Sequence, residues 1–191
     1  MVGDRARAAR ETPLLRFLGM SGTQDDLVID HPESQDGAAL WKLARDSGEL
    51  DVNSSYAYLL WCRDFRETTV VAKLNGEAVG FITAYRRPDD PATLLVWQVA
   101  VAEAGRNKGI ASAMLDALLR KHTQGGVRFL ETTVTEANIP SNKMFRSLAA
   151  RWNAPFDRSE LFTANEFPDG HDPEFLYRIG PLEPIHDELL V

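Results

Sequence analysis

The chain has 191 residues, of which 44% are hydrophobic and 26% are charged, and its formal net charge is −7. This length and composition predict one globular domain with a single core. The acidic balance argues against a general nucleic-acid binder and against binding to anionic membranes, because both need a basic surface. It is compatible with a small cationic substrate.

The chain has one cysteine, Cys62, which excludes an internal disulfide and favours a reducing, cytoplasmic location. Cys62 lies in the apolar run "YAYLLWC", so we expect a buried side chain rather than a nucleophile. No run reaches the ~18 apolar residues of a membrane span. Residues 1–24 lack the apolar core of a signal peptide and are predicted to be a flexible tail. The predicted domain covers residues 25–183, followed by a C-terminal tail over 184–191.

The first half of the chain predicts a strand, two helices and a hairpin. Residues 27–32 ("LVIDHP") predict the strand, and residues 34–48 predict a helix that ends at Gly48. Asn53, Ser54 and Ser55 are good caps for a second helix over 53–65. Two strand-like runs then flank Asn75-Gly76, which is the strongest short-range signal for a hairpin.

The second half predicts a strand–helix–strand unit followed by a further helix and two strands. The loop 88–92 precedes a continuous apolar strand over 93–101, a helix over 109–122 and a strand over 127–135. Pro140 opens the next helix, 140–152. The segments 160–167 and 174–180 are the last candidate strands. We therefore predict an α/β fold with a mixed, mostly antiparallel central sheet flanked by helices, and a ligand at the carboxyl ends of its parallel strands.

The loop between the central strand and its helix, "EAGRNKGIA", suits a bound phosphate or pyrophosphate. The helix N-terminus leaves backbone N–H groups unpaired, and Arg106 and Lys108 add positive charge. Gly109 has no Cβ, so an anion can approach the backbone closely. The loop matches neither the Walker pattern nor the three-glycine dinucleotide pattern. A surface turn with two solvated cations explains the same residues equally well.

The pattern "RNKGIA" after a buried strand, followed about thirty residues later by "NIPSNKMF", resembles the cofactor site of the GCN5-related N-acetyltransferase family. The resemblance covers residues 26–180 and implies acetyl-coenzyme A as acetyl donor, with no metal. It also implies cofactor binding by three groups of residues. The pantetheine arm would pair with the strand at Val99 and Val101, and the Asn138 side chain would contact that arm. The pyrophosphate would lie on the backbone of the loop, at Arg106, Asn107, Lys108, Gly109, Ile110 and Ala111. Where the family often has a tyrosine acid, this chain has Phe145, which weakens a mechanism that uses such an acid.

Several other stretches, among them "DVNSSYAYLLWCRDF" and "HDPEFLYRIGP", resemble family members that acetylate a small diamino acid. Such a substrate carries two ammonium groups, so its site should be acidic. The resemblance implies an acceptor set that consists of Asp51, Tyr56, Trp97, His171 and Glu174. Glu174 and His171 are the candidate catalytic residues, and Glu131 is the second candidate for the base.

Each of these residues also has a structural explanation. Asp51 could cap the second helix, and Trp97 could pack in the core. His171 and Glu174 could lie in an exposed loop, and Glu131 could face solvent on its strand. The other histidines, His31, His122 and His186, show no spacing typical of a metal site.

Three functional classes follow from this sequence. The first is an enzyme that acetylates a small diamino acid by direct attack of the amine on the thioester. The second is an N-acetyltransferase of another small amine, such as lysine, ornithine or a polyamine. The third is a non-catalytic coenzyme A-binding sensor. The resemblance also implies a homodimer, while a protein-lysine acetyltransferase fits less well, because "HDPEFLYRIG" is expected to close the groove that a peptide would need.

Overall fold

The computed structural model describes residues 12–18 and 26–185, which form an eight-stranded sheet with helices on both faces. The strand order is β1-β2-β3-β4-β5-β6-β8-β7, and β5 and β6 pair in parallel while all the other neighbours among the described strands are antiparallel. The predicted α/β class with a mixed, mostly antiparallel sheet is confirmed. The elements are β1 (Leu15–Leu18), β2 (Asp26–Asp30), α1 (Gly37–Ser47), α2 (Ser55–Asp64), β3 (Val70–Leu74), β4 (Glu77–Arg87), β5 (Asp90–Val101), α3 (Ile110–Gln124), β6 (Phe129–Thr135), α4 (Ile139–Arg151), β7 (Phe156–Phe162) and β8 (Glu174–Ile179).

The local signals in the first half of the chain act as predicted. Gly48 ends α1 with a left-handed φ of 70°. The Ser54 side chain accepts a hydrogen bond from the Ala57 N–H and caps α2, so Asp51 is not the cap of that helix. Asn75 and Gly76 both have positive φ, 52° and 87°, as the tight turn between β3 and β4 requires.

Two apolar cores lie on opposite faces of the sheet. Neighbouring residues of one strand contribute to different cores, because side chains alternate across a strand. Val71 and Phe81 pack with α1 and α2, whereas Val70 and Ile82 pack with α3 and α4. Side chains such as Leu118 are fully buried, and burial of a leucine stabilises a fold by roughly 1.5–3 kcal/mol. The two cores fix the positions of the helices relative to the strands of the sheet.

The predicted tails are partly wrong. Residues 15–18 form β1, which pairs antiparallel with β2, and Arg16 makes an ion pair of 2.7 Å with Asp26. The short run gave no clear alternation, so the sequence did not indicate this edge strand. At the other end Ile185 packs on the core. Residues 1–11, 19–24 and 186–191 of the two predicted tails lie outside the described residues.

Several strand boundaries also differ from the prediction, most of all those of β5 and β7. β5 begins at Asp90, so the predicted loop 88–92 is only a tight turn, and β7 covers Phe156–Phe162 rather than 160–167. β7 is an edge strand with almost every residue exposed, and its sequence therefore shows no alternation. In the part of the chain that the structure describes, no helix is long and apolar enough to cross a membrane.

Candidate active site

The parallel strands β5 and β6 separate at their carboxyl ends. β6 pairs with β5 only from Thr93 to Val96, although β5 continues to Val101 and β6 to Thr135. Beyond Val96, β5 therefore has no strand partner on its β6 side. This leaves an open strand edge inside the sheet, at the position where open α/β sheets bind ligands.

A β-bulge at Trp97 controls which backbone groups face this opening. Thr83 pairs with Gln98 and Ala84 pairs with Val96, so Trp97 is the extra residue in β5. The Gln98 N–H points toward β4 and donates to the Thr83 hydroxyl at 3.2 Å. Because consecutive peptide groups of a strand point to opposite sides, the N–H and C=O groups of Val99 and Val101 face the open edge.

A cavity of about 450 Å³ runs along this edge to the N-terminus of α3. The residues that line it include almost all of the predicted cofactor set: Val99, Val101, Arg106, Asn107, Gly109, Ile110, Ala111 and Asn138. Lys108 does not line it. The cavity thus combines an unpaired strand edge with the positive end of a helix, which fits a ligand with an amide chain and a phosphate group.

Gly109 has a backbone conformation that selects glycine. It is the N-cap of α3 with a left-handed φ of 75°, and a Cβ at this position would meet no atom of the described chain within 4 Å. The positive φ is a reason for glycine in addition to the predicted close approach of an anion, for which the space is open. Asn107, with φ 61°, also bends the loop.

Asn138 is held at the start of α4 with its amide group oriented. Its Oδ1 accepts from the Ser141 N–H at 3.1 Å, so its amide N–H groups are left for a ligand. Asn142, which the sequence analysis missed, donates to the Asn138 carbonyl at 2.7 Å and to the Thr135 carbonyl at 3.3 Å. A second amide four residues after Asn138 was the available signal.

Three residues of the predicted acceptor set come together at the start of β8. His171 Nε2 lies 3.7 Å from Asp51 Oδ2 and 3.9 Å from Glu174 Oε1. Glu174 pairs with Thr135 at the carboxyl end of β6, next to the opening of the sheet. Its side chain is only 18% exposed, and its buried Oε2 has no hydrogen-bond partner within the described chain. The cluster therefore offers a carboxylate oxygen to a cationic ligand.

The surroundings of Glu174 and His171 change their proton affinities. Burial raises the pKa of Glu174, an effect that the Thr133 hydroxyl and His171 oppose and that the Asp51 carboxylate adds to. The pKa of His171 is also raised, first by its hydrogen bond to the Asp172 carbonyl and further by the nearby carboxylates. A carboxyl group with a raised pKa is a stronger base than an ordinary glutamate.

The two aromatic members of the predicted acceptor set lie on or beside α2. Trp97 is 43% exposed and stacks on Trp61 with the ring centroids 5.2 Å apart, so it is not a core residue. Tyr56 is on the first turn of α2 and is 65% exposed. Neither ring contacts the three charged residues, but each is free to face a ligand.

Glu131, the second candidate for the base, does not have a free oxygen that could face a substrate. It is 2% exposed, and both of its oxygens are held by guanidinium groups. Arg87 Nη1 donates to Oε2 at 3.0 Å, and Arg178 binds Oε1. Both oxygens are therefore already occupied, and Glu131 does not face solvent either, because β8 and Arg87 cover it.

The burial of Cys62, His122 and Phe145 shows which of them can take part in chemistry at the surface. Cys62 is 1% exposed, and desolvation raises the pKa of its thiol to about 12, so it is not a nucleophile. His122 is buried, and desolvation lowers its pKa to about 4, so it is neutral at pH 7. Phe145 is buried in the core. Among the described residues, no group of three or more His, Cys, Asp or Glu side chains is arranged so that it could hold a metal ion.

This geometry is that of an acetyltransferase, and the chain belongs to the GNAT acetyltransferase family. The model of the acetyltransferase (GNAT) family matches residues 37–149. Solved structures with low sequence identity share the fold, such as Ard1 from Thermoplasma volcanium with a TM-score of 0.67 at 19% identity over 81% of this chain and 97% of that chain.

Within this family the chain is similar to diaminobutyrate acetyltransferases. It is 55% identical to the L-2,4-diaminobutyric acid acetyltransferase of Streptomyces avermitilis, over 83% of this chain and 90% of that protein. Identity to the enzyme of the same name from Marinococcus halophilus is 44%, over 87% and 96% of the two chains. Diaminobutyrate acetyltransferase EctA from Paenibacillus lautus, solved with L-2,4-diaminobutyric acid and coenzyme A, has a TM-score of 0.79 at 43% identity and covers 85% of this chain and 98% of its own.

Proposed function

We propose that the protein transfers the acetyl group of acetyl-coenzyme A to the 4-amino group of L-2,4-diaminobutyrate. The product is N4-acetyl-L-2,4-diaminobutyrate, an intermediate of ectoine biosynthesis. Relatives at 55% and 53% identity carry the name of this activity, and the similar Paenibacillus lautus structure holds this substrate with coenzyme A.

The cavity along β5 fits the acetyl donor. The amide groups of a pantetheine arm can pair with the free backbone groups of Val99 and with the Val101 N–H, and Asn138 can donate to the same arm. A pyrophosphate suits the N–H groups at the start of α3, around Gly109 and Ile110. When bound, acetyl-coenzyme A supplies a thioester that reacts with amines.

The residues around Glu174 solve the main difficulty of the reaction, which is the proton on the substrate amine. An alkylammonium with a pKa near ~10.4 is neutral in only about one of 2,500 molecules at pH 7, which costs roughly 4–5 kcal/mol. The free Oε2 of Glu174 can accept a hydrogen bond from this ammonium and then its proton. Asp51 and the face of Trp97 can hold the second ammonium.

Other backbone and side-chain groups act on the thioester oxygen, on the charge of the acceptor site and on the leaving thiolate. A free N–H of β5, at Val99 or Val101, is available to stabilise negative charge on the thioester carbonyl oxygen. His171 lies between Asp51 and Glu174 and offsets their mutual repulsion when protonated. Phe145 provides no acid for the leaving thiolate, but a thiol pKa near ~8.5 allows the thiolate to leave without one.

The choice of a small cationic acceptor rests on Glu174, whose buried Oε2 lies beside the opening of the sheet and has no hydrogen-bond partner in the described part of the chain. The test is coenzyme A release from acetyl-coenzyme A with L-2,4-diaminobutyrate, ornithine, lysine and spermidine. We expect kcat/KM to be at least tenfold higher for diaminobutyrate. A preference for a longer amine would be consistent with the fold and the cofactor, but it would show that diaminobutyrate is not the substrate. No release with any amine, together with coenzyme A binding, would indicate a sensor.

We also propose that the protein acts as a homodimer in the cytoplasm. The dimer is inferred from the family resemblance. The location is inferred from the single cysteine, Cys62, which is free, as is usual for proteins of a reducing compartment. Light scattering of the purified protein at micromolar concentration should give twice the mass of the 21.3 kDa chain.

A further inference from the structure

A buried amide side chain connects the strand that forms the cofactor cavity to the loop that carries Asp51. Gln98 lies on β5, directly after the bulge residue Trp97, and is 4% exposed. Its Nε2 donates to the main-chain carbonyl of Asp51 at 2.9 Å. Its Oε1 accepts from the Tyr58 hydroxyl at 3.1 Å. Both ends of the amide are therefore satisfied, as a buried polar group requires.

The loop between α1 and α2, residues 48–54, packs on the core through Leu50, and Asn53 Nδ2 donates to the Asp51 carbonyl within the loop at 3.4 Å. The side chains of Asp51 and Val52 are 91% and 46% exposed, so burial does not fix them. The N–H groups of Glu49 and Leu50 bond locally to the Ser47 hydroxyl at 3.3 Å. The bond from Gln98 thus holds the middle of the loop, where the acceptor carboxylate is carried.

The hydrogen-bonding pattern fixes the orientation of the Gln98 amide. The carbonyl of Asp51 can only accept, so it must face the NH₂ group, and the Tyr58 hydroxyl is then left to donate to the oxygen. Tyr58 is 1% exposed and packs edge-on against Phe81, which keeps the far end of the amide rigid. The main-chain N–H of Gln98 is itself bound to Thr83 on β4. A rigid unit on the cofactor strand therefore ends at the backbone of Asp51.

We propose that Gln98 is a positioning residue that fixes the separation between the Asp51 carboxylate and the cofactor strand. It thereby sets the length of diamine that reaches the thioester, because one ammonium must meet Asp51 while the other lies beside β5 and Glu174. Gln98 touches neither substrate, and its effect acts through the loop. The inference rests on the proposed function, and it identifies a determinant of acceptor length for the same site.

Two variants of Gln98 remove the donor to Asp51. Gln98→Met keeps the volume and removes both hydrogen bonds, and Gln98→Glu keeps the shape and the acceptor for Tyr58. Tyr58→Phe is the matched control, since it removes the bond at the other end of the amide and leaves the donor to Asp51 in place. Steady-state kinetics with diaminobutyrate and with ornithine are measured for each variant, together with amide hydrogen exchange of residues 48–54.

Both Gln98 variants should raise KM for diaminobutyrate about tenfold, keep KM for acetyl-coenzyme A within twofold, and reduce the preference for diaminobutyrate over ornithine at least fivefold. They should also speed amide exchange in residues 48–54, while Tyr58→Phe lowers the melting temperature without these changes. Equal shifts in both KM values, an unchanged preference, or the same behaviour in Tyr58→Phe would overturn the proposal. If the wild-type protein does not acetylate diaminobutyrate, the proposed function fails instead. Exchange in the loop then still decides the role of Gln98, and unchanged exchange in its variants overturns it.

Discussion

The two sides of the site are built in different ways. The cofactor side is formed largely by one continuous segment, from the bulge of β5 to the first turn of α3, and it presents mainly backbone groups. The acceptor side collects side chains from segments far apart in sequence, with Asp51 before α2 and His171 and Glu174 before and at the start of β8. A backbone site depends on local conformation, whereas a side-chain site depends on individual functional groups. Substitutions should therefore separate the two sides cleanly.

The largest effect is expected from Glu174→Gln. The variant keeps the shape of the side chain but cannot take the proton from the substrate ammonium, so kcat should fall by about 10²–10⁴-fold. Affinity for coenzyme A, measured by calorimetry, should change less than twofold. Glu160→Gln on the exposed strand β7 is the matched control and should retain full activity. Retention of more than a tenth of kcat in Glu174→Gln would exclude Glu174 as the base.

Gly109→Ala tests the backbone side. An alanine held at φ 75° is strained by about 1–2 kcal/mol, so KM for acetyl-coenzyme A should rise roughly tenfold while KM for the diamine stays constant. Gly76→Ala, at φ 87° in the turn between β3 and β4, is the control for strain alone. An equal change in the acetyl-coenzyme A KM of both variants would contradict a specific role for the α3 N-terminus.

The pH dependence separates the charges on the acceptor side. Glu174 must be ionised to act as a base, so kcat/KM falls as the pH drops through its raised pKa. The positive charge of His171 lowers this pKa and the Asp51 carboxylate raises it. His171→Asn should therefore move the acidic limb of the profile to higher pH, and Asp51→Asn should move it to lower pH. Shifts of the opposite sign, or none in either variant, would rule out this coupling.

The stability of the folded protein should show the same raised pKa. A carboxyl whose pKa is raised by folding favours the folded state at low pH, and this contribution is lost as the pH rises through the folded-state pKa. Glu174→Gln should therefore be more stable than the wild type at pH 7, with a difference that disappears near pH 4. Denaturant unfolding at the two pH values measures it, and a variant that is less stable at pH 7 would contradict the expectation.

The smallest catalytic effect is expected from Glu131→Gln. Loss of the charge between Arg87 and Arg178 should destabilise the fold by about 1–3 kcal/mol, which lowers the melting temperature by ~2–4 °C per kcal/mol. Because both oxygens of Glu131 are bound by Arg87 and Arg178 and none is left for the substrate ammonium, kcat should stay within about threefold of the wild type. A fall in kcat as large as that of Glu174→Gln would indicate that Glu131 acts as the base.

The sequence predicted the cofactor side better than the acceptor side for a physical reason. A strand, a glycine-containing loop and a helix leave a continuous local pattern, which indicates an anion site at Gly109. The family resemblance that starts from this pattern implies Val99 and Asn138 as well, and all three residues line one cavity. The register between β4 and β5 is not local, and the bulge that turns Trp97 outward left no signal in the apolar run.

The acceptor side was identified from resemblance rather than from pattern. Nothing local in "HDPEF" indicates that His171 approaches Asp51, because only the order of β6, β8 and β7 brings the two segments together. Glu131 shows the corresponding limit. Its position on β6 was predicted, but its two arginine partners come from β4 and β8, and their pairing depends on the complete sheet.

The most direct test of the proposed function is to locate the acetyl group on the product by NMR after reaction of the wild-type protein with L-2,4-diaminobutyrate and acetyl-coenzyme A. We expect acetylation of the 4-amino group, since Asp51 and Glu174 hold the two ammonium groups in a fixed order relative to β5. Acetylation of the 2-amino group, or of both amines equally, would contradict it.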